Sequence, residues 1–179
     1  NIGYVPQKGI LFSGTIASNI KYGAENASDE QMLEAATIAQ ATEFIDCKEE
    51  KYDSPISQGG TNVSGGQKQR LSIARAIAKN PRIYIFDDSF SALDFKTDAA
   101  LRKALSPKVK ESTVIIVAQR ISTVLQAKQI IVLDDGKMVG KGTHKELMKN
   151  CEVYKQIASS QMSEAELATS LNEEVDKDE

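Results

Sequence analysis

The sequence predicts an α/β protein built on a parallel sheet, and three features carry the prediction. Two short apolar runs, Arg82 to Phe86 and Thr113 to Ala118, lack polar alternation, as strands buried on both faces of a parallel sheet do. Helical spacing brackets the first run. Leu71, Ile73, Ala74 and Ile77 recur between Gln67 and Ala78, and Ala100, Leu101, Ala104 and Leu105 between Thr97 and Leu105. Asn80-Pro81 stops the first helix and Ser106-Pro107 is expected to stop the second. Finally, the first run ends in Asp87 and Asp88, at the carboxyl end of a strand, where parallel sheets open their ligand crevice.

The chain has 179 residues, enough for one domain with a real core. Its 41% hydrophobic and 26% charged residues are ordinary for a globular protein. A net charge of −3 gives no reason to expect nucleic acid as a partner. Cys47 and Cys151 have no metal-type spacing and fit a reducing, cytosolic setting. No run is long and apolar enough to span a membrane, and no signal peptide opens the chain. The first residue, Asn1, already lies in strand-like sequence, so a preceding segment is expected.

Ser64-Gly65-Gly66 is a side-chain-poor turn running into the Gln67–Ala78 helix. Backbone N–H groups there point outward at the positive end of the helix dipole, which makes an anion seat usually filled by phosphate. Phosphate seat, helix, buried strand and acidic pair together describe nucleotide chemistry with a divalent metal.

At these residues the chain resembles ABC-type ATPases. Ser64-Gly65-Gly66-Gln67 is similar to their signature motif, preceded by Val63 where leucine is usual. Ile83 to Asp87 resembles the Walker B strand, and Ser91-Ala92-Leu93-Asp94 the D-loop, which would face a partner domain. Three motifs in order within this stretch are a specific signal; an ordinary glycine turn before a core helix and strand is the bland alternative. The resemblance implies a P-loop NTPase-like (RecA-like) core with an α-helical signature subdomain. It divides the chain into a core strand and Q-loop (1–7), a helical subdomain (8–80), the core with Walker B, D-loop and H-loop (81–162), and a poorly ordered acidic tail (163–179).

The remaining segments fit this frame. Ile2 to Val5 reads as a strand closed by Pro6-Gln7, and Gln7 matches the Q-loop glutamine, able to offer an amide oxygen to Mg²⁺ or to an attacking water. Phe12-Ser13-Gly14-Thr15-Ile16 resembles the start of the helical subdomain in ABC exporters, where the family docks the coupling helices of its transmembrane domain. Ile10, Leu11, Phe12 and Ile16 are equally readable as core. Ser28 and Gln31 form a capping box before a helical stripe from Met32 to about Phe44. In the loop Tyr52 to Asn62, Gln58 stands where exporters carry glutamate. Asp134-Asp135-Gly136-Lys137 marks a hairpin between Gln129–Leu133 and Met138–Gly140. Gly142 to Leu147 opens a helix, with His144 read as a surface residue. Beyond about Ser163, Leu167, Leu171 and Val175 allow a thin helical stripe, but a frayed end is favoured.

Two departures bear on catalysis. Asp88 follows the Walker B aspartate Asp87 where the family has a water-polarising glutamate, and Gln119 stands where the H-loop carries the histidine that contacts the γ-phosphate. Asp87 is the expected Mg²⁺ ligand with Gln7. No Gly-x-x-x-x-Gly-Lys-Ser/Thr occurs in the sequence, so a stable ATP site on this chain alone is not expected. The resemblance therefore implies one half of a heterodimeric ABC exporter, on the cytoplasmic face of a membrane. In it, Ser64, Gly65, Gly66 and Gln67 complete the partner's ATP site, while Asp88 and Gln119 leave the chain's own site degenerate. An ABC ATPase not tied to transport and a regulatory module that has lost hydrolysis are the competing readings.

Overall fold

The computed structural model describes residues 1–24 and 26–172. Strand β1 (Ile2–Val5) leads to the two-residue strand β2 (Gly14–Thr15) and to α1 (Ile16–Lys21), capped by Thr15. Ser28 caps α2 (Asp29–Ile38) through the expected box with Gln31. The helical stripe does not run unbroken to Phe44: Gln40 takes φ of 56°, and α3 (Thr42–Asp46) starts afresh beyond it. β3 (Pro55–Ile56) pairs antiparallel with β2. α4 (Gly65–Ala78) is capped by Ser64, so the glycine pair forms the helix's first turn rather than a loop ahead of it.

After α4 come β4 (Ile83–Asp87), α5 (Phe95–Lys108) and β5 (Thr113–Val117). α5 runs past its expected end at Leu105 and holds Pro107 in its last turn. A proline there forfeits a single helical bond, and the Val109 N–H still reaches the Leu105 carbonyl at 3.1 Å. The second half of the chain comprises α6 (Ile121–Val124), the hairpin β6 (Ile130–Asp134) and β7 (Lys137–Gly142), then α7 (His144–Asn150), α8 (Glu152–Gln161) and α9 (Glu164–Asn172). Asp135 and Gly136 turn the hairpin with φ of 46° and 73°, the paired positive values of a type I′ turn.

The predicted parallel sheet is present, ordered β1-β4-β5 with β4 in the middle. Tyr84 and Phe86 point from β4 into a core with Val5 of β1, Leu71, Ile73 and Ile77 of α4, and Leu101 of α5. Each such side chain contributes roughly 1.5–3 kcal/mol on full burial. β5 departs from expectation. Its Ile115 and Val117 are 49% and 52% exposed, because they lie on the same face of the sheet as Ile2 and Tyr4, themselves 49% and 55% exposed, and the described residues leave that face largely open.

The chain forms two compact units, residues 1–117 and residues 118 onward, each with its own core. The second core gathers Ile121, Ile130, Val132, Leu147, Cys151, Tyr154 and Ala158, with Leu167 of α9 packed on it. Where the sequence favours a frayed end, α9 thus extends to Asn172; Val175 lies outside the described residues.

His144 is also unlike its reading as a surface residue: it is 3% exposed. Its Nδ1 lies 2.9 Å from the Tyr154 hydroxyl and its Nε2 3.0 Å from Ser170 Oγ. Ser170 spends its proton on the Leu167 carbonyl, so Nε2–H donates to Ser170 and Tyr154 donates to Nδ1. A neutral imidazole satisfies both neighbours. Burial, then the Lys145 charge, hold its pKa below the usual 6.5. A depressed folded pKa gives stability that is complete above 6.5 and lost as pH falls through the folded value. Thermal denaturation is therefore expected to show a falling Tm from about pH 7 to about pH 5, with a flatter profile in His144→Asn.

Candidate functional site

The register of the sheet builds the site. Val5 of β1 sits opposite Phe86 of β4, so the residues leaving both strands, Gln7 on one and Asp87-Asp88 on the other, emerge side by side. Gln7 Nε2 donates to Asp88 Oδ2 at 3.3 Å, and the Tyr4 hydroxyl donates to Asp87 Oδ2 at 3.0 Å. That hydrogen bond, then desolvation and the carboxylate's charge, raise the Tyr4 pKa. Asp88 is buried and takes φ of 45°, a left-handed conformation that aspartate tolerates better than most residues. Its N–H donates to the Val117 carbonyl, and its carbonyl accepts from Ser91 Oγ at 2.8 Å. Ser89 Oγ, fully buried, ties the turn back to Val5.

No cluster of three or more metal-binding side chains occurs among the described residues. Mg²⁺ does not need one: it usually takes one or two protein oxygens and fills its octahedron with water and phosphate. The Asp87 carboxylate and the Gln7 amide oxygen are hard oxygen donors of that kind, so the donor set fits.

At the start of α4, Ser64 Oγ accepts from the Gln67 N–H, and the Gln67 side-chain oxygen accepts from the Ser64 N–H at 3.0 Å. The signature is thus itself a capping box, which holds its N–H groups in helical array. Gly65 is exposed and not in the left-handed region, and a Cβ added there would meet nothing within 4 Å. Nothing inside this chain requires glycine at that position. Gly66 faces the D-loop, where a Cβ added to it would lie 3.6 Å from the Ala92 carbonyl oxygen. In the D-loop, Ser91, Ala92 and Asp94 are exposed or nearly so and Leu93 is buried. Asp94 caps α5, accepting from the Thr97 N–H at 2.9 Å and from its hydroxyl at 2.7 Å, and these bonds lower its pKa.

The structure thus groups Gln7, Asp87 and Asp88 at the strand ends and sets the signature turn against the D-loop. Gln119 belongs to the second unit, where it is exposed and its carbonyl accepts from Gln161 Nε2 at 2.8 Å. Two supports are missing from the sequence reading. Tyr4 braces Asp87, and Gln69, 1% exposed, donates to the Pro6 carbonyl at 3.0 Å and ties α4 to the segment carrying Gln7. A glutamine beside the apolar stripe of α4 is the available signal for the second.

The segment after Gln7 divides between core and surface. Leu11 and Ile16 are buried, whereas Ile10 and Phe12 are exposed together with Tyr22. Phe12 and Tyr22 stack at 4.2 Å, and the Arg75 guanidinium lies over both rings. Arg75 also donates to the carbonyls of Ile10 and Asn19 and to Asn19 Oδ1, fixing an apolar surface from beneath.

Residues 1–91 match the ABC transporter family. The chain is 47% identical over 163 residues to an uncharacterized ABC transporter ATP-binding protein of Mycobacterium tuberculosis, covering 89% of this chain and 28% of that protein. It is 49% identical over 160 residues to another from Bacillus subtilis, with the same two shares. The structure of a bacterial Atm1-family ABC exporter with ATP bound matches with a TM-score of 0.86 and 35% identity, over 92% of this chain and 29% of that one. The chain belongs to the ABC transporter family and has the fold of an exporter's ATP-binding domain, consistent with a P-loop NTPase. It spans less than a third of the length of these relatives. No described helix is long and apolar enough to cross a membrane.

Proposed function

We propose that this chain is part of the ATP-binding domain of a heterodimeric ABC exporter, hydrolysing ATP with Mg²⁺ at a dimer interface to drive transport across a membrane. The observation that carries the reading is Gly65: an exposed, open glycine that the fold does not need, on a well-capped helix start. The space is suited to a phosphate held by a second ATP-binding domain. Ser64 offers a hydroxyl and Gly65 an unobstructed N–H to it, while Ser91, Ala92 and Asp94 face the same partner. The helical-subdomain division and the exposed face of Ile10, Phe12 and Tyr22 suit coupling helices of a transmembrane domain.

On the chain's own side, Asp87 and Gln7 would hold Mg²⁺, which supplies charge neutralisation of the phosphates when bound. Asp88 would orient the attacking water, and its side chain is one methylene shorter than glutamate. Gln119 can donate a hydrogen bond to a γ-phosphate but carries no charge, so the contact is weaker than that of a protonated histidine. Each departure weakens the contact that it makes. They equally favour a second reading, a regulatory module without hydrolysis. ATP turnover of the full-length protein with its partner separates the two: steady hydrolysis that depends on Gly65 supports the first, and none at all supports the second.

A further inference from the structure

α6 is a four-residue helix whose N-cap, Arg120, makes no side-chain capping bond. Its first donor, the Ile121 N–H, is satisfied from 40 residues away: it donates to Gln161 Oε1 at 2.9 Å. The other end of the same amide, Gln161 Nε2, donates to the Gln119 carbonyl at 2.8 Å. One side chain therefore closes on the backbone on both sides of Arg120, as a neighbouring strand would, and fixes two consecutive peptide units. Gln161 is itself placed by α8, which the buried Tyr154 and Ala158 anchor to the second core. A glutamine is needed for both bonds, because they require a donor and an acceptor at the end of one planar group.

We propose that Gln161 is a positioning residue for Gln119: its amide holds the backbone of the Gln119–Ile121 turn so that the Gln119 side chain is presented to a γ-phosphate. This rests on the γ-phosphate role proposed for Gln119. A purely structural role would affect all nucleotides alike, whereas a positioning role affects only those with a γ-phosphate. The experiment is equilibrium binding of Mg-ATP and Mg-ADP to the full-length protein with its partner, for wild type, Gln161→Ala, Gln161→Glu and Gln119→Ala. Melting midpoints serve as the folding control.

Gln161→Ala is expected to weaken ATP by about 3- to 10-fold, the range for loss of one or two such bonds, with ADP unchanged. Gln161→Glu keeps the acceptor for Ile121 but loses the donor to Gln119, and should still lower the ATP-to-ADP preference. Amide hydrogen exchange at Ile121 should speed up in Gln161→Ala. A Gln161→Ala protein that weakens ATP and ADP equally overturns the proposal. So does one that leaves ATP untouched while Gln119→Ala weakens it, or one in which exchange at Ile121 is unchanged. If Gln119→Ala itself leaves the ATP-to-ADP preference unaltered, the γ-phosphate reading of Gln119 is what has failed, and the positioning role falls with it.

Discussion

Gly65→Asp is expected to lower ATP turnover of the proposed heterodimer by about 10²- to 10³-fold, the usual cost of losing a transition-state donor. The aspartate would place a negative charge where a partner-held γ-phosphate must approach. The folded chain should not suffer. A Cβ at position 65 has open space, and an acidic side chain in the first turn of α4 lies at the favourable end of the helix dipole, worth about 0.3–1 kcal/mol. Unchanged or slightly raised thermal stability beside collapsed turnover is a combination that misfolding cannot produce. Asp88→Asn, measured in parallel, should cost much less if Asp88 belongs to the proposed degenerate site. Equal losses, or a larger loss from Asp88→Asn, would mean that the competent site uses this chain's own Walker B carboxylates.

The double replacement Asp88→Glu with Gln119→His should act in the opposite direction and raise turnover. Asp88 falls about 1 Å short of a glutamate's reach, and a misplacement of that size can cost on the order of a hundredfold in rate. The backbone sets a limit on the gain. Asp88 holds φ of 45°, and a residue other than glycine in that region costs roughly 1–2 kcal/mol, which the longer side chain offsets less well than aspartate. A lowered Tm accompanying the increase is therefore part of the expected result. Steady-state ATPase assays on both single mutants and the double provide the check. No increase in the double mutant, with ATP shown to be bound, would count against the proposal that Asp88 and Gln119 are weakening departures.

How much of the molecule is legible in its sequence follows from how local each cause is. The parallel sheet is legible because Ile83 to Phe86 and Thr113 to Val117 are unbroken apolar runs, and the Asp135-Gly136 turn because so few residues accept two positive φ values in succession. The capping box of the signature, Ser64 with Gln67, has the same local pattern as that of Ser28 with Gln31, but the glycine pair beside it reads as a turn. The break at Gln40 is held from thirty positions away, where the Arg70 guanidinium donates to its carbonyl at 2.7 Å, and α5 continues through Pro107 because a proline in the last turn forfeits only one helical bond. The burial of His144 is hidden because its partners, Tyr154 and Ser170, are ten and twenty-six positions on. For the same reason Tyr4, 83 positions from Asp87, and Gln161, 42 from Gln119, cannot be seen as supports of the site. The motifs name the groups that face a ligand; the residues that hold those groups in place are found only in three dimensions.

The central place of β4 also sets how the two parts of the site respond to thermal fluctuation. It is hydrogen-bonded on both sides, so Asp87 and Asp88 ride on a segment that opens only when the sheet itself comes apart. Ser64 and Gly65 stand on a helix start at the surface, where the first-turn N–H groups lack an intrahelical backbone partner. The amide protons of Asp87 and Asp88 are thus expected to exchange slowly and that of Gly65 quickly. Docking of the proposed partner would bring the two onto one timescale.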